Sequence, residues 1–263
     1  MVFDVDLLIH KIRRVIQAKL NRPGNMGGYR SMWHALRTEG HQVPRRIGEE
    51  LMRELDPDGC EIRHAKRLRR RTYQVPGPNF CWHTDGYDKL KPYGFPIHGC
   101  IDGWSRKIIW LHVARSNNKP EIPASFYLQS VQVYGCPVKL RSDCGTENGI
   151  MAAMQCEFHS NGEAHFFGTS PANQRIESWW SQFRRNRSTW WINYFKDLCE
   201  RNFFNPDNEL EKERLWFCFS DVIQNDLDYV KEQWNTHRIR DSKHNTIPGI
   251  PEELYCFPEK KGG

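Results

Sequence analysis

The order of apolar runs between residues 79 and 143 constrains the fold more than any other feature of this chain. NFCWHT leads to Asp85, and PIHGCI and RKIIWLHV then flank Asp102-Gly103. Asp-Gly between two β-rich runs is a strong hairpin signal, so the three runs read as three antiparallel strands. KPEIPASFYLQSVQVYG follows with a helical pattern, and PVKLRSD is a short strand ending at Asp143. A helix between two strands is a crossover, which brings the chain back parallel to the first strand. The sequence therefore predicts an α/β fold with a mixed sheet flanked by helices. It also predicts Asp85 and Asp143 side by side at the carboxyl ends of neighbouring strands, where sheets of this kind build their sites.

A third acid completes the pattern. Ser170 and Pro171 read as an N-cap and first helical position, starting a helix that carries Glu177 on its second turn. Gln174, Ser181 and Arg184 then fall at i−3, i+4 and i+7 from Glu177 and share its face. Fifty-seven residues separate Asp85 from Asp143, and 33 separate Asp143 from Glu177. With 32 acidic residues in 263, such spacing arises easily by chance, so the weight rests on placement at two strand ends and a helix face. Carboxylates are the hard ligands magnesium prefers, and three of them could hold two ions about 4 Å apart for in-line phosphoryl transfer. Asp88 lies in the loop beyond Asp85 and Asp102 in the turn, so both read as structural. Gly145, Gly149, Gly162 and Gly168 punctuate the stretch before Glu177, which reads as a short helix over IMAAMQCEF with mobile segments on either side that could gate a substrate.

Four segments, WHTDGYDKLKPYGFPIHGCIDGWSRKIIW, RSDCGTENG, ANQRIESWW and WNTHRIRDSKHNTIPG, resemble in that order the integrase core domain family of retroviral and retrotransposon type, and especially the integrase core domain-containing proteins of animal genomes. The resemblance runs from about residue 20 to residue 255. It implies an RNase H-like core with a mixed five-stranded sheet and a D,D,E triad at Asp85, Asp143 and Glu177. It further implies two Mg²⁺ or Mn²⁺ ions per site, DNA as partner, DNA end processing and strand transfer as the reaction, and a homo-oligomer when active. The family's N-terminal zinc module needs a CxxC that is absent here; Cys60 near His64 does not replace it, so no structural zinc is expected. The sequence closes on PEELYCFPEKKGG, so the SH3-like C-terminal domain of many integrases is not expected in it.

Charge divides the chain. Residues 1–80 carry 16 basic and 9 acidic residues, residues 81–263 carry 22 and 23, and the whole chain is at +6. The densest run, AKRLRRRTY, holds Lys66, Arg67, Arg69, Arg70 and Arg71, suited to neutralising phosphates or to nuclear localisation. Upstream, Val5, Leu8, Ile12, Val15 and Ile16 mark one helix, Met32, Trp33 and Leu36 a second, and Ile47, Leu51 and Leu55 a third that starts at Pro44 with Arg45, Arg46 and Arg53 beside the stripe. GGYRSMWHALRTEGHQVPRRIGEELMREL looks like the helix-turn-helix module preceding some transposase and integrase cores. The expected division is a helical, helix-turn-helix-like module over 1–62, a basic linker over 63–77 and a catalytic core over 78–258. Arg184, Arg185 and Arg187 extend a further basic patch; with Arg45, Arg46 and the basic run, Arg184 and Arg185 are the expected nucleic-acid contacts.

Trp179, Trp180, Trp190 and Trp191 could stack on bases. Their pattern with Ile176, Phe183, Ile192 and Phe195 instead reads as packing of a helix on the sheet. Nine cysteines without CxxC read as reduced thiols. No apolar run is long enough to span a membrane and no secretory signal is visible; the basic run and a DNA substrate make the nucleus the expected location. Two other classes remain: a DNA-binding protein that keeps the fold without the chemistry, and a glycosidase with a carboxylate pair. The glycosidase needs no metal and explains neither the basic N-terminal third nor the ordered motifs.

Overall fold

The computed structural model describes residues 5–22, 27–63, 75–168, 173–241 and 247–261. The chain falls into two compact units, one of residues 1–70 with 182–197 and one of residues 71–181 with 198–263. Among the described residues no helix is long and apolar enough to cross a membrane.

In the first unit, α1 (Val5–Leu20), α2 (Tyr29–Thr38) and α3 (Arg45–Leu55) are the three helices that the apolar stripes predict. Ile12, Ile16, Met32, Leu36, Val43, Leu51 and Met52 form their core. Leu8, expected on the buried stripe, is 46% exposed. Gly40 ends α2 at φ +84°, with its N–H on Arg37 O and the His41 N–H on Leu36 O, a pairing that satisfies the last carbonyls and needs a residue at ease in the left-handed region. A fourth helix, α4 (Pro57–Arg63), follows directly. Asp56 Oδ1 accepts the Gly59 N–H at 3.1 Å and Pro57 occupies the first position, so DPDG, which looks like a turn, starts a helix. Residues 182–197 contribute a π-helical stretch, Arg184–Ser188, and most of α8 (Thr189–Glu200). Trp191 and Phe195 are buried there, and the half-buried Trp190 ring stacks on Tyr194.

The second unit is built on one sheet in the order β3-β2-β1-β4-β5. β1 (Cys81–Tyr87), β2 (Ile97–Asp102) and β3 (Ile108–Val113) are antiparallel, as the hairpin signal predicts. The crossover helix α5 (Glu121–Tyr134) returns the chain to β4 (Lys139–Ser142), which runs parallel to β1. β5 (His165–Phe167) adds a parallel edge. This is the RNase H-like arrangement. One face carries Trp82, Cys100, Trp110 and Leu140, packed with Ala124 and Tyr127 of α5 and Met151 of α6 (Gly149–Phe158).

Asp102 is fully buried and accepts the N–H groups of Asn79, Trp104 and Ser105 and the Ser105 hydroxyl, so it ties the turn and is structural, as its position in the sequence suggests. Asp88, exposed, pairs with Lys91 and Asn117. In the stretch from 144 to 168 the short helix expected over IMAAMQCEF is present as α6, and the flanks expected to be mobile are built in as well. A 3₁₀ turn, α6 and β5 occupy it, because β5 pairs with β4 and Gln155 of α6 donates to Pro137 O at 2.7 Å.

An open strand edge invites pairing with another chain. At β3 the 28-residue helix α9 (Glu209–Thr236) covers it with side chains that copy a strand. Asn235 accepts the Ile108 N–H at 2.8 Å and donates to Ile108 O at 3.0 Å, Lys231 donates to Ile109 O, and Gln224 bridges Leu111 O and Val113 N. Trp234 Nε1 donates to Arg106 O at 2.6 Å, so the WNTHRIR segment works on the edge strand. His237 stacks beside Trp234 in the same structural role. α10 (Pro251–Cys256) is held by Glu252, which pairs at 2.7 Å with the buried Lys107 ammonium.

Candidate active site

Parallel pairing fixes where the first two acids lie. His83 is level with Arg141, so two residues further along each strand bring Asp85 and Asp143 level at the same end of the sheet. Neighbouring strands stand about 4.8 Å apart. Alternation puts Trp82 into the core on one face and His83 and Asp85 on the other, the face of α7 (Gln174–Phe183). Glu177 belongs to the first turn of α7, not the second: Asn173 is still outside the helix and its carbonyl takes the Glu177 N–H. A carboxylate there is favoured by the positive end of the helix dipole. Ser170 and Pro171 lie outside the described residues.

The three carboxyls influence one another. Asp85 is half-buried, and its carboxyl is pushed up to about 8, first by loss of solvation and then by the charges of Glu177 and Asp143. Asp85 Oδ2 accepts the indole N–H of Trp180 at 3.0 Å. Asp143 Oδ1 accepts the Asn148 amide at 2.7 Å and the Gly145 N–H at 3.3 Å. No hydrogen bond from a described residue reaches Asp143 Oδ2 or the Glu177 carboxylate. Among the described residues, no three His, Cys, Asp or Glu side chains stand close enough to hold a metal ion as they are. The donor set has the chemistry of a hard-cation site: anionic oxygens from three elements, two of the groups with oxygens to spare, and a like-charge penalty on the third that a cation would relieve.

Sequence reading missed the residues that hold these carboxyls. Trp180 was assigned to packing, and it is 95% buried, but its N–H also fixes Asp85. Its ring lies over Gly99, the residue opposite Asp85 on β2; a Cβ there would sit 2.9 Å from the indole. A glycine inside the otherwise buried run IHGCID is the signal that could have shown it, since glycine in a strand interior often marks close approach. Asn173 supports the same strand, donating to Thr84 O at 2.9 Å and meeting His83 Nδ1 at 2.8 Å. Burial pushes His83 down to about 3, so its ring is neutral. Trp179 and Trp191, like Trp180, are buried, as the packing reading requires.

Lys66, Arg67, Arg69, Arg70 and Arg71 lie outside the described residues. Arg184 and Arg185 are exposed and open the π-helical stretch. Arg45 and Arg46 open α3, and Arg46 is paired with Glu50 at 2.8 Å.

The family profile described as Integrase core domain matches residues 72–257. The chain belongs to the integrase core domain family. No curated protein sequence matches it. Among solved structures it is similar to the simian T-cell lymphotropic virus intasome in complex with the PP2A regulatory subunit B56 gamma, at 16% identity and TM-score 0.46 over 87% of this chain and 68% of that one. It is also similar to the HTLV-2 integrase catalytic core domain in complex with magnesium, at 14% identity: the trimeric form at TM-score 0.39 (69% of this chain, 99% of that one) and the dimeric form at 0.37 (70% and 100%). For this integrase core domain protein, membership agrees with the strand order.

Proposed function

We propose that this integrase core domain protein is a D,D,E polynucleotidyl transferase acting on DNA ends, with Asp85, Asp143 and Glu177 as the carboxylates that hold Mg²⁺ or Mn²⁺. The observation that carries this reading is the parallel register of β1 and β4, which brings Asp85 and Asp143 level on a sheet whose Asp85 face meets α7, the helix bearing Glu177; in keeping with it, burial and the charges of Glu177 and Asp143 raise the Asp85 carboxyl. A pair of divalent ions bound there would activate the attacking hydroxyl and stabilise the leaving oxygen of an in-line displacement. The chain's own part is positioning. Trp180 orients Asp85 through Oδ2, and Asn148 and Gly145 fix Asp143 through Oδ1. α7 presents Glu177. With water as nucleophile the outcome is end processing; with a DNA 3′-hydroxyl it is joining to a target; neither needs a covalent enzyme intermediate. Arg184, Arg185 and the basic run from Lys66 to Arg71 would contact the phosphate backbone. An active homo-oligomer, a nuclear location, and a helical module and basic linker ahead of the core complete the proposal.

A second reading has one observation in its favour. As they stand, the described carboxyls do not form a closed ligand group, which suits a protein that keeps the fold and binds DNA without chemistry. A joining assay with oligonucleotide ends and magnesium or manganese, run beside Glu177→Gln, separates the two. Metal-dependent joining lost in the variant supports the transferase; DNA binding with no joining in either supports the binding protein.

A further inference from the structure

The basic surplus of the helical unit does not come from its N-terminal helices. Residues 1–62 hold ten basic and nine acidic residues, so this module is close to neutral by itself. Among the described residues, four of these ten cations meet a carboxylate. Arg13 pairs with Glu54, Lys19 with Glu39, Arg46 with Glu50 at 2.8 Å and Arg53 with Glu49 at 2.8 Å. On α3, Arg46 and Arg53 are tied to the helix's own glutamates.

Two arginines are held differently. The Arg37 guanidinium lies 5.0 Å from the centre of the Trp33 ring and that of Arg45 lies 5.2 Å from the same centre. Neither meets a carboxylate among the described residues. Both are exposed, and both stand within about 10 Å of one another because they share one ring. Trp33 is itself fixed, its indole N–H donating to Val43 O at 2.7 Å and its ring packed on Gly48. The Gly40 turn sets the approach of α2 to α3. Beside the ring is an open cleft of about 550 Å³ lined by Trp33, Arg37, Gln42, Val43 and Pro44. A guanidinium held over an aromatic face keeps its N–H donors for a planar or tetrahedral anion, and phosphate oxygens are the ligand that geometry suits best.

We propose that Arg37 and Arg45, set by Trp33 at the α2–α3 turn, clamp the phosphodiester backbone of duplex DNA. The module then grips DNA without reading sequence through α3, since phosphate contacts fix position and carry no base information. This rests on DNA as the substrate of the chain but not on the carboxylate chemistry.

The test is fluorescence anisotropy of the full chain with a labelled DNA duplex in EDTA, across a salt series, in an Asp85→Asn background so that cleavage plays no part. Each phosphate contact contributes about 0.9 to the slope of log K against log salt. Arg37→Gln/Arg45→Gln should reduce the slope by about 2 and weaken binding on the order of tenfold or more at 0.1 M salt, equally for unrelated sequences. Arg37→Lys/Arg45→Lys should keep most of the slope, and Arg46→Gln should leave it unchanged. An unchanged slope in the double Gln variant, or the same loss in Arg46→Gln, overturns the clamp. So does polyglutamate displacing DNA as effectively as unlabelled duplex, which would mark the cleft as a general anion or acidic-peptide site. A clamp variant that loses binding while the unmutated carboxylates still fail to support joining would leave the clamp standing and remove the transferase.

Discussion

The helical unit and the sheet unit treat charge in opposite ways. In the first, cations and carboxylates meet pairwise on exposed helix surfaces, an arrangement that contributes little to stability and makes no demand on solvent. In the second, three carboxyls gather at one end of a sheet where burial and mutual repulsion lift Asp85 to about 8. Pairing of opposite charges is what a surface does by default; crowding of like charges costs stability and persists where it serves a site. The difference separates a region of paired surface charge from one where a carboxyl is raised by burial and its acidic neighbours, the arrangement that the proposed metal site calls for.

The largest effects should come from breaking the crowding itself. Asp85→Asn should reduce joining by well over 10²-fold, more than is typical for losing a residue that merely orients a metal ligand, while DNA affinity changes little. Parallel loss of joining and binding would contradict that division. Trp180→Phe keeps a six-membered aromatic ring but removes the N–H on Asp85. It should cost about 10- to 100-fold in divalent-ion affinity, read by titration with Mn²⁺ alone, together with about 1–2 kcal/mol of stability for the space left at a buried site. Gly99→Ala forces a methyl to within 2.9 Å of the same indole, so it should destabilise by about 1–3 kcal/mol in denaturant unfolding and shift the metal dependence in the same direction as Trp180→Phe.

The comparison also has a pH signature. A carboxyl raised in the folded state adds stability below its unfolded value near 3.8 and loses it as pH rises through about 8, so without metal the protein should become less stable over that interval. Asp85→Asn should flatten the trend. Divalent ions need the ionised carboxylate, so their affinity should climb as pH rises towards about 8 and level off above it. The smallest effect lies in the other unit. Gly48 sits inside α3 with its Cβ position 3.6 Å from Trp33, an ordinary contact, so Gly48→Ala should stabilise the helical unit by up to about 1 kcal/mol and leave metal affinity untouched.

Much of this was legible in the sequence because periodicity and turn chemistry are local. Asp102-Gly103 announced the hairpin, the helical run before PVKLRSD announced the parallel return, and Asp85 and Asp143 followed at the strand ends. What escaped was tertiary. Nothing near Trp180 in the chain says that its indole meets Asp85, because the contact spans 95 positions and depends on a missing side chain at Gly99. The start of α7 was placed early because Ser-Pro is a strong local start signal, whereas Asn173, turned towards Thr84 and His83, is the last residue before the helix. Composition likewise does not tell an arginine beside a glutamate from one that stands alone, and Arg46, an expected DNA contact, sits beside Glu50.

Direct titration with Mn²⁺, followed by electron paramagnetic resonance at pH 8, tests the claim on which the rest depends. The account predicts tight binding by the wild-type chain that is lost in Asp85→Asn, Asp143→Asn and Glu177→Gln alike, with Arg46→Gln unaffected. Equal Mn²⁺ binding by the wild type and all three carboxylate variants would contradict it.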